Sequence, residues 1–125
     1  MSLDAIGIVS DNLNESVKFY SILGVELKEK GGLEHLEGRT TSGVRIMLDS
    51  VELMKKINPD FKKGSGAGIV LCFVQDSPEK VDELVSRVKE SSFKIIKEPW
   101  DAFWGQRYAS VSDPDGNQID IFANN

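Results

Sequence analysis

Two stretches of this sequence carry the same order of hydrophobic patterns: strand, helix, strand, strand, strand. In the first, the β-rich run Ala5–Val9 leads into a helical segment. Val25–Glu29, Leu33–Arg39 and Val44–Leu48 then read as strands. In the second, Ile69–Val74 leads into a helix, and Phe93–Lys97, Arg107–Ser112 and Gln118–Phe122 follow. Turn signals separate the runs: Gly31-Gly32, Ser42-Gly43 and Asp113-Pro114-Asp115-Gly116. A period of roughly 65 residues is too long for a solenoid repeat and fits a duplicated half-domain.

The duplication predicts an α+β fold of two βαβββ modules, forming a cupped mixed sheet with the helices outside. Module one is expected over about 1–50, a linker over 51–66 and module two over 67–125, together one domain over 1–125. The linker has room for a short helix carrying Val51, Leu53, Met54 and Ile57, and ends in Lys62-Lys63-Gly64-Ser65-Gly66, an exposed hinge by composition.

The helices have different signatures. The first follows Asn12 and Asn14, either one a fitting N-cap, with Leu13, Val17, Tyr20 and Leu23 as its apolar stripe and Gly24 as its stop. The second has Ser77 as N-cap, Pro78 in the first turn and Glu79 complementing the helix dipole. Val81, Leu84, Val85 and Val88 then recur at i, i+3, i+4 and i+7.

Composition narrows the function classes. Hydrophobic residues make up 40% of the 125, enough for a proper core. Twenty acidic against 15 basic side chains give a formal charge of −5, which argues against nucleic acid as a partner. No apolar run is long enough to span a bilayer, and Asp4 and Asp11 come too early for a signal peptide, so the expectation is a cytoplasmic protein with no membrane partner. The single cysteine, Cys72, excludes an internal disulfide; between Leu71 and Phe73 it reads as a buried, inert thiol.

Alternation assigns the strand faces. Ile6 and Ile8 oppose Ala5, Gly7 and Val9; Val44, Ile46 and Leu48 oppose Arg45 and Met47; Ile119 and Ile121 oppose Gln118, Asp120 and Phe122. One face of each is aliphatic and should pack on helices. The other is mixed. Ile69–Val74 is apolar on both faces, as a central strand would be. A mixed face present in both copies points to an enclosed cleft.

Four segments carry a family resemblance: Leu13-Asn-Glu-Ser-Val-Lys-Phe-Tyr-Ser-Ile-Leu-Gly, Phe73-Val-Gln-Asp-Ser-Pro-Glu-Lys-Val-Asp-Glu-Leu, the run Glu98-Pro-Trp-Asp-Ala-Phe-Trp-Gly-Gln-Arg-Tyr, and Asp113-Pro-Asp-Gly-Asn-Gln-Ile-Asp. Together they resemble the vicinal oxygen chelate superfamily, which includes glyoxalase I, bleomycin-resistance proteins and extradiol dioxygenases. The resemblance implies paired βαβββ modules, usually in homodimers. It also implies one metal ligand on the first and last strands of each module. Those positions fall on Ala5, Met47, approximately Ile69, and Asp120; Asp120 alone of these is a carboxylate. Divalent catalysis needs three or four N/O ligands, so no metal, no cofactor and no catalytic residue is expected. The chain looks nearest to the metal-free bleomycin-resistance branch, whose members bind drugs without modifying them.

The expected role is therefore sequestration of a planar or cationic antibiotic-like molecule by a homodimer. The expected ligand-binding residues are Trp104, Phe103, Asp120, Met47, Arg45, Phe73, Phe122 and Arg107, with Ile69 and Leu71 adding to an apolar pocket. Trp100, Phe103 and Trp104 fall in one Pro/Gly-containing loop, either as a stacking wall or as a plug at the core edge or dimer interface. Asp120 reads either as counter-ion to a ligand or as an ion-pair partner of Arg45 or Arg107. His35 reads as a surface or interface residue. A divalent-metal lyase, isomerase or dioxygenase using Asp120, Asp4 or His35 is the first alternative, and a noncatalytic regulatory module the second.

Overall fold

The structure is a computed structural model that describes residues 1–32, 34–64 and 68–125. Leu33, which opens the expected third strand, lies outside the described residues, as do Ser65 and Gly66 of the expected hinge and the first residue of the expected second module. The chain forms two compact units, Met1–Gly64 and Ser65–Asn125. Each holds one βαβββ unit, so the architecture is α+β.

The first unit contains β1 (Ala5–Ser10), α1 (Leu13–Ile22), β2 (Lys28–Glu29), β3 (His35–Arg39), β4 (Arg45–Ser50) and α2 (Val51–Ile57). Its sheet order is β1-β4-β3-β2, with β1 parallel to β4 and the other pairs antiparallel. The second contains β5 (Leu71–Val74), α3 (Pro78–Glu90), β6 (Ile95–Ala102), β7 (Gln106–Ser112) and β8 (Gln118–Asn124), in the order β5-β8-β7-β6, with β5 parallel to β8. A parallel pair needs a crossover, and in each unit a helix supplies it. Among the described residues no helix is long and apolar enough to cross a membrane.

Helix α3 follows its pattern. Ser77 Oγ accepts from Lys80 N at 3.3 Å, and Val81, Leu84, Val85 and Val88 are all buried, where the helix packs on β6, β7 and β8. Each such side chain contributes about 1.5–3 kcal/mol when fully buried. Helix α1 is capped by Asn12, whose Oδ1 accepts from Glu15 N at 3.1 Å. Its inward face is Ser16, Phe19 and Tyr20 rather than the expected Leu13, Val17, Tyr20 and Leu23. A polar residue turns inward because Ser16 Oγ shares a 2.7 Å hydrogen bond with the buried Ser10 Oγ at the end of β1.

Four further expectations are corrected. Ile69–Val74 is not a central strand: β5 begins at Leu71 and borders its sheet, paired among the described residues with β8 alone. Leu71 and Phe73 are half-buried, whereas Cys72 and Val74 are exposed. Cys72 is thus not a buried thiol, since alternation turns it away from the helix. The strand expected over Val25–Glu29 pairs only at Lys28–Glu29, although Val25 and Leu27 are buried. Trp100 is not in a loop but within β6, where register shifts between Ile95 and Trp100 let an edge strand accept Pro99. What remains of the loop is Phe103-Trp104-Gly105, with Gly105 at φ +92°, as a three-residue hairpin requires.

Two local devices hold these elements. The segment before β2 passes so close to β3 that a Cβ at Gly38 would lie 2.3 Å from the Glu26 carbonyl oxygen. At the β7–β8 turn the buried Asp113 accepts from Asp115 N at 2.9 Å, Asn117 N at 2.8 Å and Asn117 Nδ2 at 2.8 Å. Gly38→Ala should destabilise the protein by about 1–3 kcal/mol through enforced backbone displacement. Asp113→Ala should cost on the order of 3 kcal/mol by leaving several donors unpaired, and Asp113→Asn less, because one acceptor oxygen is kept. Denaturant titration of the three variants against wild type measures both effects.

Candidate functional site

The strand register decides which side chains share a face. In the second unit, Tyr108 stands opposite Phe122, Ser110 opposite Asp120, and Cys72 beside Asp120. Trp100 stands opposite Tyr108. All occupy the face away from α3. The Tyr108 and Phe122 rings stack at 5.6 Å and 19°. Trp104 meets Tyr108 edge-on at 5.4 Å, Trp100 at 5.6 Å and Phe103 at 4.9 Å. Trp104 is the hub of this aromatic wall and is half exposed, while Phe103 at the hairpin tip is 90% exposed. Its indole N–H donates to Gln106 Oε1 at 2.8 Å, and Gln106 Nε2 donates to Asn124 Oδ1 at 2.9 Å, which fixes the ring. Lys97 Nζ sits 4.8 Å from the Trp100 ring centre.

Asp120 lies at the foot of this wall and is only 9% exposed. Its Oδ2 accepts from the Tyr108 hydroxyl at 2.7 Å; its Oδ1 accepts from Ser110 Oγ at 2.7 Å and Gln118 Nε2 at 2.9 Å. All three donors are neutral. Among the described residues no lysine, arginine or histidine pairs with it. The ion pairs considered for Asp120 are therefore replaced: Arg107 binds Asp82 at 3.0 Å and Asp101 at 3.3 Å, and Arg45 binds Glu37 at 2.8 Å as well as Asp4. Burial, then the Asp120 carboxylate, pushes the Tyr108 hydroxyl above its ordinary pKa. Partial burial of the sulfur, then Asp120, raises the Cys72 thiol in the same way, with a Tyr108 hydrogen bond opposing.

Of the residues expected at a ligand site, Trp104, Phe103, Phe122 and Asp120 come together here. Phe73 and Arg107 do not. Phe73 stands beside Ile121 and Arg107 opposite Ala123, on the face that α3 covers, and Leu71 shares that face beside Ile119. Tyr108, Ser110 and Gln118 were missed. Tyr108 and Ser110 share the parity of Asp120 in their hairpin, a signal that appears only once the register is known.

Met47 and Arg45 lie in the first unit, on the face of β4 that looks away from α1. Met47 Cε is 3.7 Å from where a Gly7 Cβ would stand. Ala5, Gly7 and Val9 of β1 share this face and are uncharged; its other side chains on β3 and β4 are ionisable. His35 Nδ1 contacts Asp49 Oδ1, His35 Nε2 lies 2.7 Å from Glu37 Oε2, Arg45 joins Glu37 to Asp4, and Lys30 lies 3.8 Å from Glu37. His35, its side chain 24% exposed, is thus a member of a charge chain at the surface of this face.

The residues do not fit a divalent metal of the superfamily type. Gly7 stands beside Met47 and Cys72 beside Asp120. The same offset makes Val70, not Ile69, the counterpart of Ala5. Ala5, Met47 and Val70 supply no oxygen or nitrogen ligand, and Asp120 already holds three donors. Asp4 and His35, the other ligands considered, are engaged in the charge chain. Among the described residues no group of three His, Cys, Asp or Glu side chains is placed to hold a metal ion.

No curated protein sequence matches this chain. The chain resembles several solved structures. A hypothetical protein from S. aureus matches with a TM-score of 0.84 at 18% identity, over 98% of this chain and 94% of that one. A glyoxalase/bleomycin resistance protein/dioxygenase family enzyme from Burkholderia phytofirmans PsJN matches with 0.80 at 22%, over 100% of both. A lactoylglutathione lyase from Agrobacterium tumefaciens matches with 0.70 at 18%, over 98% and 92%. At such identities these likenesses establish the fold alone. The sequence model of one family matches residues 2–121, nearly the whole chain. The chain belongs to the glyoxalase/bleomycin resistance protein/dioxygenase superfamily.

Proposed function

We propose that the protein binds a planar, cationic small molecule of the antibiotic type on the aromatic face of its second unit, without a metal, and acts by sequestering it. One observation carries this reading: a buried carboxylate with no cationic partner among the described residues lies at the foot of a wall of aromatic rings. Indole and phenol faces attract cations and flat π-systems. Asp120 has used three of about four lone-pair sites, so one acceptor position remains for a ligand donor. The neutral donors around it hold the carboxylate in place without cancelling its charge. Trp104 is exposed enough to be reached and fixed enough by Gln106 to bind without a large ordering cost.

The reading includes a homodimer. Ile69 (80% exposed), Val70 (42%) and Val74 (64%) at the border strand β5 support it, since such apolar surface usually marks a contact. Sedimentation analysis at micromolar protein should give twice the chain mass; a monomer at those concentrations removes that part of the proposal.

Tryptophan fluorescence of chelator-treated protein, titrated with planar and cationic antibiotics including bleomycin, tests the binding. Saturable quenching is expected and should survive the chelator. Trp104→Ala should weaken binding about tenfold, the loss of one desolvated ring contact. Asp120→Asn should weaken cationic ligands selectively and leave neutral ones unchanged. Bound ligand should also slow alkylation of Cys72, which shares the face. A flat response across the panel, or equal loss of cationic and neutral ligands in Asp120→Asn, overturns the reading.

A further inference from the structure

The charge chain of the first unit has no part in the proposed binding face and stands on separate observations. Its central member is an imidazole with a carboxylate oxygen at each ring nitrogen: Asp49 at Nδ1 and Glu37 at Nε2. A neutral imidazole has one N–H and one lone pair. It can satisfy one of these carboxylates and must present a lone pair to the other. Only the imidazolium, with two N–H groups, satisfies both. The side chain is 24% exposed, and it lines a cleft with Gly31, Gly32, Glu34, Leu53 and Lys56, so solvent protons reach it.

The charges around His35 come from every neighbouring element. On its own strand are Glu37 and Arg39; Arg39 Nη1 donates to Gly43 O at 2.8 Å. From β4 come Asp49 and Arg45, from the N-terminal segment Asp4, and from β2 and its turn Lys28 and Lys30. Across the cleft, Lys56 of α2 binds Glu34 at 3.0 Å. The connected chain runs Asp49, His35, Glu37, Arg45, Asp4. Signs alternate along it only while His35 is protonated. Without that proton, Asp49 has no cation in the chain, and Glu37 keeps only Arg45 and the more distant Lys30.

The edge beside this residue is formed by the shortest strand of the sheet. Strand β2 is two residues long, and both are exposed. Its hairpin is closed by Lys30 N donating to His35 O at 3.1 Å, across a double-glycine turn.

We propose that His35 is a proton-operated latch on the β2–β3 edge, tying β3 to β4 while protonated and loosening that edge when the proton leaves. The direction follows from its neighbours. Glu37 and then Asp49 raise the imidazole pKa above 6.5, with burial opposing; His35 and then Arg45 hold Glu37 down to about 2. The latch therefore contributes in full below the unfolded value of 6.5 and is lost as pH rises through the raised folded value. Glu37 stays ionised throughout that window, so loss of the proton uncovers a charge.

His35 is the only histidine in the sequence, so its ring Cε1–H resonance needs no assignment. An NMR titration should place its midpoint above 6.5, and Glu37→Gln and Asp49→Asn should each lower it. Amide protection factors, corrected for intrinsic exchange, should fall severalfold over Lys28–Glu29 and His35–Arg39 as pH crosses the midpoint, while those of α3 stay level. In His35→Gln the β3 protection should no longer depend on pH. A midpoint at or below 6.5, a fall shared equally by α3, or a fall that persists in His35→Gln overturns the proposal. If Glu37→Gln does not fold, Asp49→Asn and His35→Gln retain the test. None of these readouts involves a ligand, so failure here and failure of the proposed binding are separately visible.

Discussion

A helix can cover only one face of a sheet, and in each unit of this protein that coverage is one-sided. The parallel pairing of first and last strands requires a crossover, which a helix supplies, and the helix side of the sheet buries one parity of the central strands together with Ile8 of β1. Ile8, Ile46 and Leu48 in one unit, and Ile119, Ile121 and Val111 in the other, are the result. Every other feature follows from what the chain does with the opposite parity. A bare mixed face would leave polar groups and apolar surface side by side. Each unit resolves this with its own chemistry.

The first unit sets charged groups on this face beside the small and apolar Ala5, Gly7 and Val9. Asp49, His35, Glu37, Arg45 and Asp4 form a chain whose signs alternate while His35 is protonated, and Met47 covers the small Gly7. The second unit fills its face with rings. Trp100, Trp104, Tyr108 and Phe122 lie against one another, and a carboxylate held by three neutral donors lies among them. A charge buried in that way is costly unless hydrogen-bonded, which is why Tyr108, Ser110 and Gln118 converge on it. The first arrangement gives each of its carboxylates a cation while His35 is protonated. The carboxylate of the second is held, among the described residues, by neutral donors alone.

Much of this was legible in the residues. The order of elements, the inward stripe of α3 and the Asp113 turn are each encoded within a dozen residues, where spacing and capping act locally. The aliphatic and mixed faces of β1, β4 and β8 follow from alternation alone. What was not legible depends on contacts between distant residues. Phe73 and Arg107 look like cleft residues until the register sets them beside Ile121 and opposite Ala123. Ser16 interrupts an apolar stripe because its hydroxyl finds Ser10, a partner no periodicity reveals. Trp100 reads as loop because Pro99 precedes it, and only the bulged edge pairing places it in a strand. The charge chain needed the pairing of β3 with β4, which sets His35 opposite Asp49.

The register places Gly7 beside Met47 in one unit and Cys72 beside Asp120 in the other, equivalent positions filled by unlike chemistry. Substitutions there alter neither the helix-covered core nor the strand order, because both depend on the other parity. The two units thus carry unlike surfaces on one folding plan. Within each, the residues that set the chemistry of the open face are not the residues that pack under the helix, so the open parity is free to vary where the covered parity is fixed by packing.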